Sequence, residues 1–171
     1  KLLLVDAISS IGSVACPVDA WGLDVVVSGS QTGWMAPPGL AMVSFSQRAW
    51  EAYAQAKLPR FYFDLEAAKR YLERGQNPWT PAVSVFYAMD LALGKMLDEG
   101  LENILVRHAD IAQITRNGLK KLGLTLFADE AVASNTVTAV HGPEGVDVGE
   151  MLNLLRTEYD VVLAAGQGSM L

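Results

Sequence analysis

Asp6 is the first residue of this sequence whose type and position together suggest chemistry. It closes the apolar run 2–5, which reads as a buried strand, and in open α/β sheets ligands bind outside the carboxyl ends of the strands. No Lys or Arg occurs between Lys1 and Arg48, so Asp6 has no cation near it in sequence. A desolvated carboxylate needs a counter-charge or it takes up a proton. Two readings follow: a bound ligand supplies the positive charge, or Asp6 caps a helix or turn through Ser9 and Ser10.

The second candidate is the run 28–39, Ser-Gly-Ser-Gln-Thr-Gly-Trp-Met-Ala-Pro-Pro-Gly. Small residues with hydroxyl, amide and backbone N–H donors just after a strand can cradle an anion without a net positive charge. A Gly-Ser run is also the composition of a plain loop. Here the whole stretch from Val25 to Gln47 is uncharged, unlike a solvated loop, which normally carries Lys, Glu or Asp.

Other reactive residue types read as structural. His108 falls on a helix between Arg107 and Asp110 and His141 opens a His-Gly-Pro turn, neither with a partner at metal-ligand spacing. Cys16, before Pro17, reads as a small buried hydrophobe, and as the only cysteine it has no intrachain disulfide partner. Trp34 and Trp79 read as core or interface aromatics. The glycine-rich run 166–169 lacks a following helix and is no phosphate loop, and Arg60-Phe-Tyr-Phe-Asp64 holds too little charge for a nucleic-acid platform.

The elements that must position these residues are legible in outline. Charge-free stretches rich in Val, Leu and Gly suit central strands of a parallel sheet covered on both faces. Strands are expected at 2–5, 24–28 and 40–45, with Pro37, Pro38 and Gly39 turning the chain before the third. Helices are expected at 47–56, 65–74, 82–98 and 101–122, the last ended by Gly123 with Lys120 and Lys121 in its final turn. Further on come strands at 124–127, 136–140 and 161–164, with a helix at 148–159. The expected organisation is an α/β sheet domain at 1–80, linking long helices at 81–122 and a small α+β domain at 123–171. A core strand directly after Lys1, and an ending, Gly-Gln-Gly-Ser-Met-Leu, with no closing element, also make the sequence read as a piece of a longer protein.

Composition narrows the function classes. The 171 residues suffice for one domain with a small companion, and 51% hydrophobic against 19% charged excludes a disordered chain. Thirteen basic against 19 acidic residues give a net charge of -6, which repels phosphate backbones and anionic lipid. No apolar run approaches the roughly 20 residues of a membrane span, and no basic-then-apolar leader opens the sequence. The expectation is a cytoplasmic protein that binds neither nucleic acid nor membrane.

The segments Val5-Asp6-Ala7-Ile8-Ser9-Ser10, then Asp19-Ala20-Trp21-Gly22-Leu23-Asp24-Val25-Val26-Val27-Ser28-Gly29-Ser30-Gln31, then Pro37-Pro38-Gly39, resemble the cofactor core of class V pyridoxal-phosphate aminotransferases. The closest subgroup is the alanine/serine–glyoxylate aminotransferases, some of whose cyanobacterial members are labelled a subunit of a soluble hydrogenase. The resemblance extends over essentially the whole sequence and includes Glu99-Gly100-Leu101-Glu102-Asn103 between two long helices. It implies a fold-type I pyridoxal-phosphate transferase: the C-terminal half of the large sheet domain and most of the small one. It also implies transamination between a small amino acid, alanine or serine, and the 2-oxo acid glyoxylate, in a homodimer with its site at the interface.

On that resemblance Asp6 pairs with the protonated pyridine nitrogen, Ile8 packs on the ring and Gln31 contacts the phosphate. Thr80, or Asn77, in the connector Gln76-Asn77-Pro78-Trp79-Thr80-Pro81, would reach the partner's phosphate. The substrate-carboxylate arginine, the second ring-stacking aromatic and the main phosphate loop are expected outside these residues. One departure outweighs the matches. The family's Schiff-base lysine follows the Ser-Gly-Ser-Gln stretch, and here that position is Thr32. A threonine has no amine for a Schiff base and is far too weak a base to shuttle the α-proton. The resemblance therefore implies that any cofactor is held non-covalently and that this chain does not turn over. The alternative is a non-catalytic homologue acting as a binding or scaffold protein.

Overall fold

The structure is a computed structural model that describes residues 1–167. Gly168 and Ser169 of the glycine-rich run, and the end of the expected small domain, lie outside the described residues. The chain divides into two compact units, one of residues Lys1–Ala109 and one from Asp110 onward.

The first unit is built on a three-stranded sheet, β1 (Leu4–Asp6), β2 (Val25–Gly29) and β3 (Ala41–Phe45), in that spatial order. β1 and β2 are parallel, with Leu4 opposite Val25 and Asp6 opposite Val27. β3 runs antiparallel to β2, with Val25 opposite Phe45 and Gly29 opposite Ala41. The sheet is thus mixed where an all-parallel one was expected. Residues 30–40 explain it: they form turns without a helix, and a parallel return needs a crossover of about a dozen residues or more, usually helical.

Burial on both faces holds for β2 alone. Val25, Val26 and Ser28 are buried, and Ala7 and Leu23 pack with Val26 in one small core, flanked by Val5, Ile11, Cys16 and Val18. β1 was expected to be buried and is not: Leu4 is 66% exposed, because β1 has a single neighbour among the described residues. A second core joins Ala36, Met89 and Ala92 with Trp34, Leu40 and Met42, fixing the loop after β2 against a helix.

That helix is α3 (Val83–Glu99), preceded by α1 (Gln47–Gln55) and α2 (Leu65–Leu72) and followed by α4 (Leu101–Lys121), all within two residues of the expected bounds. Ser46 caps α1 by accepting the Ala49 N–H at 3.1 Å, and Asp64 caps α2 by accepting from Glu66 at 3.2 Å. Gly100 separates α3 from α4 at φ +85°, a left-handed conformation that glycine adopts without a Cβ clash.

The second unit holds the end of α4 and α5 (Val148–Tyr159), whose N-cap Asp147 accepts from the Glu150 N–H at 2.9 Å. The strands expected at 124–127 and 136–140 reduce to an antiparallel bridge between Leu126 and Val140. Phe127 N–H to the Ala139 carbonyl and His141 N–H to the Thr125 carbonyl, both 2.9 Å, flank that bridge. The strand expected at 161–164 is absent among the described residues, since no neighbouring strand lends it a ladder. Apolar composition predicts a strand's residues; pairing decides whether it forms.

Candidate functional site

Asp6 ends β1, and the ladder continues one step beyond it, where the Ala7 N–H donates to the Val27 carbonyl at 2.8 Å. The chain then turns sharply, with Ser10 and Ile11 both donating to the Ala7 carbonyl. Asp6 sits at the mouth of this turn and is exposed; its Oδ1 accepts the Ile8 N–H at 2.9 Å. Asp6 therefore caps this turn through the Ile8 N–H and not through Ser9 or Ser10. No cation pairs with Asp6 among the described residues. Turn capping and ligand pairing are compatible here, since a carboxylate offers about four lone-pair sites and the turn occupies one.

The loop after β2 meets that turn edge to edge. The Thr32 hydroxyl donates to the Ile8 carbonyl oxygen. Glycines make this approach possible: a Cβ on Gly33 would be driven into the Ile11 carbonyl and stand 2.8 Å from Ser13 Oγ. Gly12, at φ +88°, would place a Cβ 2.7 Å from the Gly33 carbonyl oxygen. Gln31 is exposed and its amide folds over Gly29, where a Cβ would stand 2.7 Å from Gln31 Oε1. The parallel pairing of β1 and β2, together with these two loops, thus gathers Asp6, Ile8, Gln31 and Thr32 at one end of the sheet.

The serines of the loop are committed elsewhere. Ser30, fully buried, donates to the Pro37 carbonyl at 2.7 Å and accepts the Leu40 N–H at 3.2 Å. Ser28 Oγ accepts the Trp34 indole N–H at 2.8 Å and contacts the Ala7 carbonyl at 3.5 Å. These hydroxyls therefore build the loop, where an anion cradle was one sequence-level reading of them. Gln31 is left as the exposed side-chain donor.

Asn77 and Thr80 are exposed in the connector between α2 and α3. Asn77 lines a shallow cavity with Pro81, Val83, Phe86, Tyr87 and Asp90. No hydrogen bond joins either residue to the strand-end cluster among the described residues. A larger cavity of about 520 Å³ is walled by apolar groups such as Val26, Met42, Met96 and Ile104, and none of Asp6, Ile8, Gln31 or Thr32 lines it.

The sequence reading missed Asp24. Its side chain is 2% exposed, and it accepts from the Leu3 N–H at 2.9 Å, the Ser46 hydroxyl at 2.8 Å and Arg48 Nη2 at 3.0 Å. The Leu3 N–H above all, then the Ser46 hydroxyl and the Arg48 guanidinium, hold its carboxyl below the ordinary carboxylate range against the opposing cost of burial. The signal was present: Asp24 opens the uncharged stretch and Arg48, the first cation after Lys1, follows its end. Asp24 is structural, tying β1, β2 and α1 together. His108 is structural too, its Nδ1 lying 2.8 Å from the Ile104 carbonyl within α4, and no group of three metal-ligating side chains occurs among the described residues.

The carboxylate ending β1 and the polar loop after β2 lie where α/β folds bind their ligands, at the carboxyl ends of the strands, and comparisons with known proteins identify the fold as that of fold-type I pyridoxal-phosphate enzymes. A solved alanine–glyoxylate aminotransferase from a Nostoc species superposes with a TM-score of 0.91 over 99% of this chain and 46% of its own, at 31% identity. The class V aminotransferase family model matches residues 1–170, and the chain belongs to that family, whose members depend on pyridoxal phosphate. It is 48% identical to the small subunit of a soluble hydrogenase from a Synechococcus species, over 97% of the chain and 43% of the relative. It is 38% identical to a serine–glyoxylate aminotransferase from Methylorubrum extorquens, over 96% of the chain and 42% of the relative. The chain thus spans less than half the length of these relatives.

The cluster fits the family's cofactor in one respect and not in another. Asp6 is a carboxylate without a protein cation at the carboxyl end of a strand, as a protonated pyridine nitrogen requires. Position 32 does not fit covalent attachment, because Thr32 carries no amine and its hydroxyl donates a hydrogen bond to the Ile8 carbonyl oxygen; residues 2–56 contain no lysine.

Proposed function

We propose that these residues form part of a pyridoxal-phosphate site for amino transfer between a small amino acid, alanine or serine, and glyoxylate. The observation that carries this reading is Asp6, whose carboxylate stands at a sheet edge among residues 2–47 that hold no Lys or Arg. When bound, the cofactor supplies a pyridinium ring that accepts the electron pair released at the substrate α-carbon. Asp6 keeps the proton on the ring nitrogen, Ile8 presents its side chain to the ring and limits water, and the Gln31 amide donates to the phosphate. Thr80, or Asn77, serves the site of a second copy in a homodimer. The domain boundaries at 80 and 122 and a cytoplasmic location belong to the same reading.

Thr32 limits what the chain does alone. Its hydroxyl neither forms a Schiff base nor takes the substrate α-proton, so turnover is absent as the sequence stands. That one substitution also favours a second reading, a homologue that keeps the fold as a binding or scaffold protein. Restoring the amine separates the two. Under the enzyme reading, Thr32→Lys protein mixed with pyridoxal phosphate turns yellow, and borohydride removes the visible band while fixing the cofactor to residue 32. A Thr32→Lys protein that is folded yet stays colourless in excess cofactor would support the scaffold reading.

A further inference from the structure

We propose that this chain favours the amine form of the cofactor, pyridoxamine 5'-phosphate, over the aldehyde form, and holds it without a covalent bond; the inference rests on the reading of Asp6, Ile8 and Gln31 above. It follows from the proton of one hydroxyl. Thr32 donates its hydroxyl hydrogen to the Ile8 carbonyl oxygen. A hydroxyl has one hydrogen and two acceptor lone pairs, so Thr32 offers a ligand lone pairs only. The Ile8 carbonyl beside it is likewise an acceptor, and the Ser28 and Ser30 hydroxyls are engaged within the loop.

The two cofactor forms place opposite demands on such a surface. An aldehyde oxygen only accepts hydrogen bonds, and in related enzymes it is condensed onto a lysine. At position 32 it meets the lone pairs of the Thr32 hydroxyl and the Ile8 carbonyl in place of an amine, and no lysine occurs in residues 2–56. The ammonium group of the amine form only donates, and it carries a positive charge. It meets acceptors in a stretch without free cations, since Arg48, the first after Lys1, is spent on Asp24 Oδ2 at 3.0 Å and the Lys1 carbonyl at 2.8 Å. Hydrogen bonds from a charged donor are about twice as strong as neutral ones. Asp6 serves the ring nitrogen of both forms and does not discriminate between them.

Calorimetric titration of the purified protein with each form tests this, with mass spectrometry after borohydride treatment as a second readout. The expected result is binding of pyridoxamine phosphate at least about tenfold tighter than pyridoxal phosphate, the scale of one charged hydrogen bond, with no reduced adduct. Thr32→Val, which keeps the volume and removes one of the two acceptors, narrows the ratio while the circular dichroism spectrum is unchanged. Thr32→Lys reverses the ratio and yields the adduct. Equal or tighter binding of the aldehyde form by the unaltered protein overturns the proposal, as does a ratio unmoved in Thr32→Val. If Thr32→Lys captures pyridoxal phosphate while the unaltered protein shows no preference, this inference fails and the cofactor-site reading stands. If neither protein takes up either form, both fail.

Discussion

Asp24 and Asp6 are carboxylates at the margins of one sheet, and their surroundings divide their roles. Asp24 is buried and surrounded by Leu3, Ser46 and Arg48, whereas Asp6 is exposed and spends one oxygen on a turn. Because the folded state depresses the Asp24 carboxyl, its contribution is present above the ordinary carboxylate value and is lost as pH falls through the folded one. Asp24→Asn therefore lowers the thermal unfolding midpoint by about 3–8 °C at pH 7, and the gap from the unaltered protein closes below about pH 4. Calorimetric scans across pH check this; a gap independent of pH would contradict it. Asp6 was legible in the sequence because it lacked a nearby cation. Asp24 was not, because its partner Arg48 becomes a neighbour only after β2, β3 and α1 have folded. Thr32 was legible as a missing amine, but its bond to Ile8 depends on two loops meeting.

At the scale of elements, the site depends on the close fit of the turn after β1 against the loop after β2. Gly33 is the tightest point of that fit, with no room for a Cβ between Ile11 and Ser13. Gly33→Ala is predicted to destabilise the protein by about 1–3 kcal/mol and to weaken binding of either cofactor form, because the two loops must separate. Urea unfolding and titration measure the two effects; an alanine variant of unchanged stability would mean that the loops are not in contact. The helices were legible where local stop signals end them, as at Gly123 after Lys120 and Lys121 and at Gly100 between α3 and α4; the caps Ser46, Asp64 and Asp147 became evident only in the fold. Strand direction was not. Whether β3 returns parallel or antiparallel depends on residues 30–40 having no crossover helix, and the strand expected at 161–164 needed a partner that local composition does not reveal.

For the whole molecule, large apolar side chains remain at the surface. Phe61, Phe63 and Leu97 are 76%, 85% and 81% exposed, as is most of Leu4 on β1. Exposed apolar side chains of this size fit surface covered by further chain or by a second copy. The homodimer reading accordingly predicts concentration-dependent association in sedimentation experiments despite a net charge of -6, with a single monomeric species at every concentration as the contrary result. The family was legible from ordered segments spread along the chain, and the family-model match over residues 1–170 agrees with them. The mixed sheet and the open β1 edge were not, since both depend on which strands find neighbours.

The central claim is that Asp6 finds its counter-charge in the cofactor ring. Nitrogen-15 NMR of ring-labelled pyridoxal phosphate bound to Thr32→Lys protein reads the protonation of that nitrogen directly. The account predicts a pyridinium shift that persists well above the pH at which the free cofactor loses its ring proton, and that reverts to neutral pyridine in the Thr32→Lys, Asp6→Ala double variant. A neutral ring nitrogen in both proteins, or a pyridinium in both, would contradict it.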